Sequence, residues 1–65
     1  MLPDPMALYR VHFVDHGGNV RATHFVEHDN DEAAVAAAHQ INVLPHLHAG
    51  FEVWENERLV YRHRN

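Results

Sequence analysis

The chain has 65 residues, enough for one small domain, and no cysteine, so no disulfide supports the fold. Nine acids stand against five arginines and no lysine, a net charge of −4 with the histidines neutral, which argues against nucleic acid and anionic membranes as partners because both attract cations to phosphate. No apolar run approaches a membrane span and no charged-then-apolar leader is present, so a soluble cytoplasmic protein is expected.

Residues 1–7 contain Pro3 and Pro5, show no periodicity and read as a disordered leader, with Met6 as an alternative start. The domain proper is placed at residues 8–64. Leu8–Asp15 is β-branched and aromatic, hence strand. His16-Gly17-Gly18-Asn19 is a hairpin turn whose glycines supply positive φ, and Val20–His28 is the return strand. Two registers are open. Pairing Asp15 with Gly18 puts Tyr9, Val11 and Phe13 on one face with Val20, Ala22, His24 and Val26. A bulge at Gly18 moves Phe25 to that face instead. The first register gathers more apolar residues on one side and is preferred.

Asp29–Asn42 is the one helical stretch. Asp29 and Glu32 have capping-box spacing, and Asp31 and Glu32 place negative charge in the first turn, where the helix dipole favours it. Alanine fills the positions from Ala33 to Ala38, broken only by Val35. Ala34, Ala37, Ala38 and Ile41 fall at i, i+3, i+4, i+7 and form one apolar stripe of small volume, which must lie close on whatever it covers. Asn42 is expected to end the helix in the left-handed conformation, and Pro45 forbids resumption.

Val43–Gly50 reads as a loop whose Val43, Leu44 and Leu47 seal the end of the core. Phe51–Glu55 is a third strand and Arg58–His63 a fourth. The Asn56-Glu57 turn between them lacks the glycine that two-residue hairpins favour, so a longer turn is expected. The fold class is α+β: a ββαββ chain forming a four-stranded antiparallel sheet, order 2-1-3-4, with one helix on one face.

Nothing remains in the chain to cover the other face. That face is expected to hold Arg10, His12, Val14, Arg21, Thr23 and Phe25. Strands three and four add either Glu52, Trp54, Val60 and Arg62 or, in the other parity, Phe51, Val53, Leu59 and Tyr61. Antiparallel sheets tolerate one wet face, but a chain this short buries only about 60% of its unfolded surface. A second copy, another partner or a metal is the usual support. A homodimer is preferred, with Arg10, His12, Val14, Phe25 and Trp54 at its interface.

The pattern Tyr9-Arg10-Val11, Phe13, Asp15, Gly18, then Asp31-Glu32 and Ala34, then Glu52-Val53-Trp54 and Arg58-Leu59-Val60 resembles a group of short proteobacterial proteins without an assigned activity. The resemblance spans Tyr9 to Val60. It implies the ββαββ fold and transfers no catalytic residue; Pro45-His46-Leu47-His48 departs from that group's plainer linker. A second likeness, ending near Ile41, is to the antitoxin partners of small RNA-cleaving toxins, which implies a small basic toxin as partner. Those antitoxins usually carry a DNA-binding element, for which there is no room in this chain.

Eight histidines are scattered along the chain. His46-x-His48 is the best metal-like pair, with His39 or His63 as third ligand for zinc or nickel. His24 and His28 share a strand face but sit about 13 Å apart, too far for one ion. No Ser-Gly elbow, cysteine nucleophile or phosphate-cradling glycine loop is present. Trp54 and Phe25, with Arg10, Arg21 and Arg62, could stack bases, but the net charge opposes this. The reading that results is a non-catalytic homodimeric interaction or regulatory module. A histidine-based divalent-metal binder is the runner-up, and an antitoxin-like partner of a basic toxin the third.

Overall fold

The computed structural model describes residues 6–42 and 48–65. The expectations for residues 1–5 of the leader, for Val43, Leu44, Pro45 and Leu47, and for His46 as a metal ligand lie outside the described residues; Ala7, expected in the leader, opens β1 and pairs with His28. The elements are β1 (Ala7–Val14), β2 (Val20–His28), α1 (Asp31–Ile41), β3 (Gly50–Glu55) and β4 (Arg58–Arg64). They form one four-stranded antiparallel sheet in the order β2-β1-β3-β4, as the alternating patterns predict. Tyr9, Val11 and Phe13 of β1 and Phe51 and Val53 of β3 make the core together with Ala34 and Ala38 of α1. Val35 and Ile41 pack at its margin. The central strands are therefore the buried ones, and both edges are wet.

From Ala22 onward the first hairpin reaches the preferred facing by an unexpected route, but Val20, expected on the face of Tyr9, pairs with Val14 and is 53% exposed. Asp15 accepts from the Gly18 amide at 3.0 Å and donates its own to Asn19 at 2.9 Å. Gly18 takes φ +83°, and only that glycine is left-handed; Gly17 is not. One residue is thus inserted at Gly18, which alone would turn Phe25 inward. A second irregularity follows, because Phe13 pairs with Ala22 but Val14 with Val20, leaving Arg21 as the extra residue. The two insertions cancel in parity. Ala22, His24 and Val26 share the face of Tyr9, Val11 and Phe13, while Phe25 points away.

Helix α1 starts one residue later than expected. Asn30, not Asp29, is the N-cap: it is extended at φ −156°, and its side-chain oxygen accepts from the Ala33 amide at 2.8 Å. The Asp29–Glu32 capping box is therefore replaced by a single Asn30 cap. The other end differs too. Asn42 has φ −82° and is not left-handed. Its amide bonds back to Ala38 and His39, and its side chain donates to Asn65 Oδ1 at 2.9 Å. Asn65 in turn donates to the His48 and Ala49 carbonyls. A polar latch to the far side of the sheet takes the place of a left-handed cap.

The second hairpin is also tighter than expected. Glu55 pairs with Arg58, so Asn56 and Glu57 form a two-residue turn. Asn56 supplies the left-handed conformation itself at φ 52°, which asparagine adopts more readily than other side chains. The register shifts between Val53 and Trp54, where Tyr61 and Leu59 are their partners and Val60 is the extra residue. As a result Val60 and Tyr61 both pack against the core, and strict alternation on β4 fails at that point.

Candidate interaction face

Helix α1 covers the face of the sheet built from Tyr9, Val11, Phe13, Phe51 and Val53. Alternation puts Leu8, Arg10 and His12 of β1, Thr23, Phe25 and Glu27 of β2, and Glu52 and Trp54 of β3 on the opposite side. The ladder bears out the grouping. Arg10 stands between Phe25 and Trp54, His12 between Thr23 and Glu52, and Glu52 between His12 and Arg62. Of the expected interface residues, Arg10, His12, Phe25 and Trp54 therefore share one surface. Val14 shares the parity of Arg10 and His12 along the regular β1–β3 ladder, but at 5% exposure it is buried and offers no open surface. Val60 is withdrawn because the bulge turns it towards the core, and Leu59 takes its place at 38% exposure.

The polar side chains of this face are tied to one another. The Trp54 indole N–H donates to Glu52 Oε1 at 2.9 Å, and Arg62 Nε donates to Glu52 Oε2 at 2.9 Å. These bonds, the indole's first and then the guanidinium's, hold the Glu52 carboxyl below its usual range. His12 Nδ1 and Thr23 Oγ1 are hydrogen-bonded at 2.9 Å. Arg10 donates to the Asn56 carbonyl. Large apolar side chains also stand open here: Phe25 is 63% exposed and Leu8 55%. Together with Arg10, Asn56 and Glu57 they line a shallow depression of about 600 Å³. Leu59 is expected outward only in the parity that also turns Phe51, Val53 and Tyr61 outward, and the bulge at Val60 instead sets it beside Trp54; Leu8 simply shares the parity of Arg10 along β1.

A second polar cluster sits at the opposite side, where α1 begins. The buried Tyr9 hydroxyl donates to Asp31 Oδ1 at 2.8 Å, and Arg58 grips both Asp31 oxygens at 3.0 Å while also bonding Glu55. The bond to Asp31, then burial, pushes the Tyr9 phenol up to about 12. Arg58 and Tyr9 hold the Asp31 carboxyl below its usual range. From position in the chain Asp31 has only a helix-dipole role. Its tertiary partners, 22 and 27 residues away, have no local signal.

The histidines gather around two phenylalanines. The His24 ring meets Phe13 edge-on at 5.6 Å, and His48 lies 5.1 Å from Phe13. His39 and His63 lie 5.1 and 5.0 Å from Phe51 and 4.9 Å from each other. Imidazole rings from separate elements thus close the wet end of the core, where an amphipathic ring can present an apolar face inward and nitrogen outward. His39 is brought to His63, whereas His48 lies against Phe13. Among the described residues no group of three or more His, Asp or Glu side chains is arranged to hold a metal ion. Nδ1 of His48 is buried without a hydrogen-bond partner among the described residues. No described helix is long and apolar enough to cross a membrane.

Comparison with protein-family models, with curated proteins and with solved structures finds no match to this chain.

Proposed function

We propose that this protein is a cytoplasmic, non-catalytic interaction module that works as a homodimer through the outer face of its sheet. The observation that carries the reading is the exposure of Phe25, Leu8 and Leu59 on a face the helix does not reach. Around them the charged and polar side chains are already bonded to one another, an arrangement suited to framing a contact rather than to attacking a substrate. A small domain with a core this thin gains from removing such surface from water.

Sedimentation equilibrium tests the reading. The chain is expected to dimerise, and Phe25→Ser to weaken the dimer at least tenfold. Burial of a phenylalanine is worth about 1.5–3 kcal/mol, and about 1.4 kcal/mol is tenfold in Kd. A chain that stays monomeric at the highest soluble concentration would refute the proposal. A divalent-metal reading, with His46, His48 and His39 as ligands of zinc or nickel, has in its favour that His48 Nδ1 is buried without a partner among the described residues. Stoichiometric metal lost on His48→Ala would support it; a dimer indifferent to chelator favours the first reading.

A further inference from the structure

The two edges of the sheet differ in charge pattern. The charged residues of β4 are Arg58, Arg62 and Arg64, with no acid among them. Antiparallel self-pairing of β4 about its midpoint would set Arg58 against Arg64, like charges directly opposite. Each edge strand carries one bulge: that at Val60 falls near the middle of β4, whereas that at Arg21 lies one residue from the start of β2 and leaves the rest of it regular. Strand β2 is built otherwise. It is nine residues long, without proline or lysine, largely exposed, and in unbroken register with β1 from Ala22 to His28. Its midpoint is His24. Antiparallel self-pairing about that residue sets Arg21 opposite Glu27, and Thr23 opposite Phe25, each twice by symmetry.

We propose that β2 is a docking strand for a second copy of this chain, the two strands pairing antiparallel about His24 to join both sheets into one. Resting on the homodimer reading above, this moves the contact from the whole outer face to the β2 edge beside Phe25, leaving Leu59 on the far edge outside it, and names its register. An edge strand's unpaired amides and carbonyls supply the ladder, and opposite charges across it set the register. Arg21 is within electrostatic reach of Asp15 of its own chain, and the partner's Glu27 offers it a second acid. The two Phe25 rings then lie diagonally across the two-fold axis on the outer face, within reach of each other. Self-pairing closes at two copies, and the arginines of β4 keep the other edge from doing the same.

Charge exchange and single cysteines test the register. Arg21→Glu and Glu27→Arg should each raise the dimer Kd about tenfold or more, and the double variant should return to within about threefold of the parent. Far-UV circular dichroism should stay unchanged throughout, since both side chains are exposed. The chain has no cysteine, so His24→Cys introduces the sole thiol. Residues directly opposite on an antiparallel pair have Cα atoms about 4.5–5.5 Å apart, within disulfide reach. On mild oxidation His24→Cys should give a covalent dimer at least about tenfold faster than Thr23→Cys or Phe25→Cys. A dimer unmoved by the charge reversals yet lost in Phe25→Ser would overturn this docking mode and leave the homodimer standing. Single reversals that weaken the dimer without rescue in the double variant, or fastest cross-linking through Phe25→Cys, would overturn the register. Growth beyond two copies would implicate β2 against β4 and overturn it as well. A monomer at every concentration would overturn both proposals.

Discussion

A Cβ placed on Gly50 would lie 2.0 Å from the carbonyl oxygen of His63. That oxygen is backbone within a paired strand and has no rotamer to yield. Gly50→Ala is therefore expected to lower stability by about 2–3 kcal/mol, the upper part of the range for overpacked sites, and to loosen the β3–β4 ladder at that end. Urea denaturation would measure it; a midpoint shift under half of that would show that the ladder can part there without loss. Gly18 is a different case, since open space surrounds it and only its φ of +83° demands glycine. Asn30 is a third kind of residue, a cap rather than a spacer. Asn30→Ala should cost about 1 kcal/mol and Asp29→Ala much less. If Asp29→Ala proved the costlier in thermal melts, the cap would belong to Asp29 and the helix would begin one residue earlier.

Helix α1 is held at both ends by residues remote in the chain, because an alanine stripe offers little side-chain surface to hold it by. At its start the Asp31 carboxylate meets Tyr9 and Arg58, and at its end Asn42 meets Asn65. The carboxyls of Asp31, Glu52 and Asp15 all lie below their ordinary range, through hydrogen bonds from Arg58, Trp54 and Asn19 respectively. A lowered folded value means that the unfolded chain takes up protons first. The stabilisation is then complete above the ordinary carboxylate value of about 4 and is lost as pH falls through the lowered folded values. Melting temperature should fall steadily below about pH 4, and Asp31→Asn should flatten part of that fall. An unchanged slope in Asp31→Asn would mean that the contact contributes no net stability.

For the molecule as a whole, charge balance is governed by histidine. Full protonation of the eight histidines would carry the net charge from −4 to +4, and the isoelectric point lies near 6.0. Histidine changes charge between about pH 5 and 8, so solubility should pass through a minimum near pH 6, where self-repulsion vanishes. A flat solubility curve across that interval would contradict this. The exposed apolar face sharpens the effect, since Phe25 and Leu8 have least opposition to contact when the net charge is zero.

Periodicity along the chain left open whether Phe51 and Val53 face inward, but it was enough to establish four strands, one helix and the core residues of β1, because side chains alternate along a strand and recur each turn of a helix. Arg10, His12, Phe25 and Trp54 could be placed on a common face for that reason. Three kinds of feature escaped it. The bulges at Arg21 and Val60 each insert one residue, and a single insertion reverses every facing beyond it, so Val60 and Leu59 could not be assigned from alternation. The burial of Val14, at 5% exposure, is not signalled by alternation, which sets it with the exposed Arg10 and His12. The gathering of His24, His39, His48 and His63 around Phe13 and Phe51 joins four separate parts of the chain. Local order is written in neighbouring residues, so the elements can be read along the chain. Facing beyond a bulge, and contacts between remote segments, follow from how strands pair in space and carry no local signal.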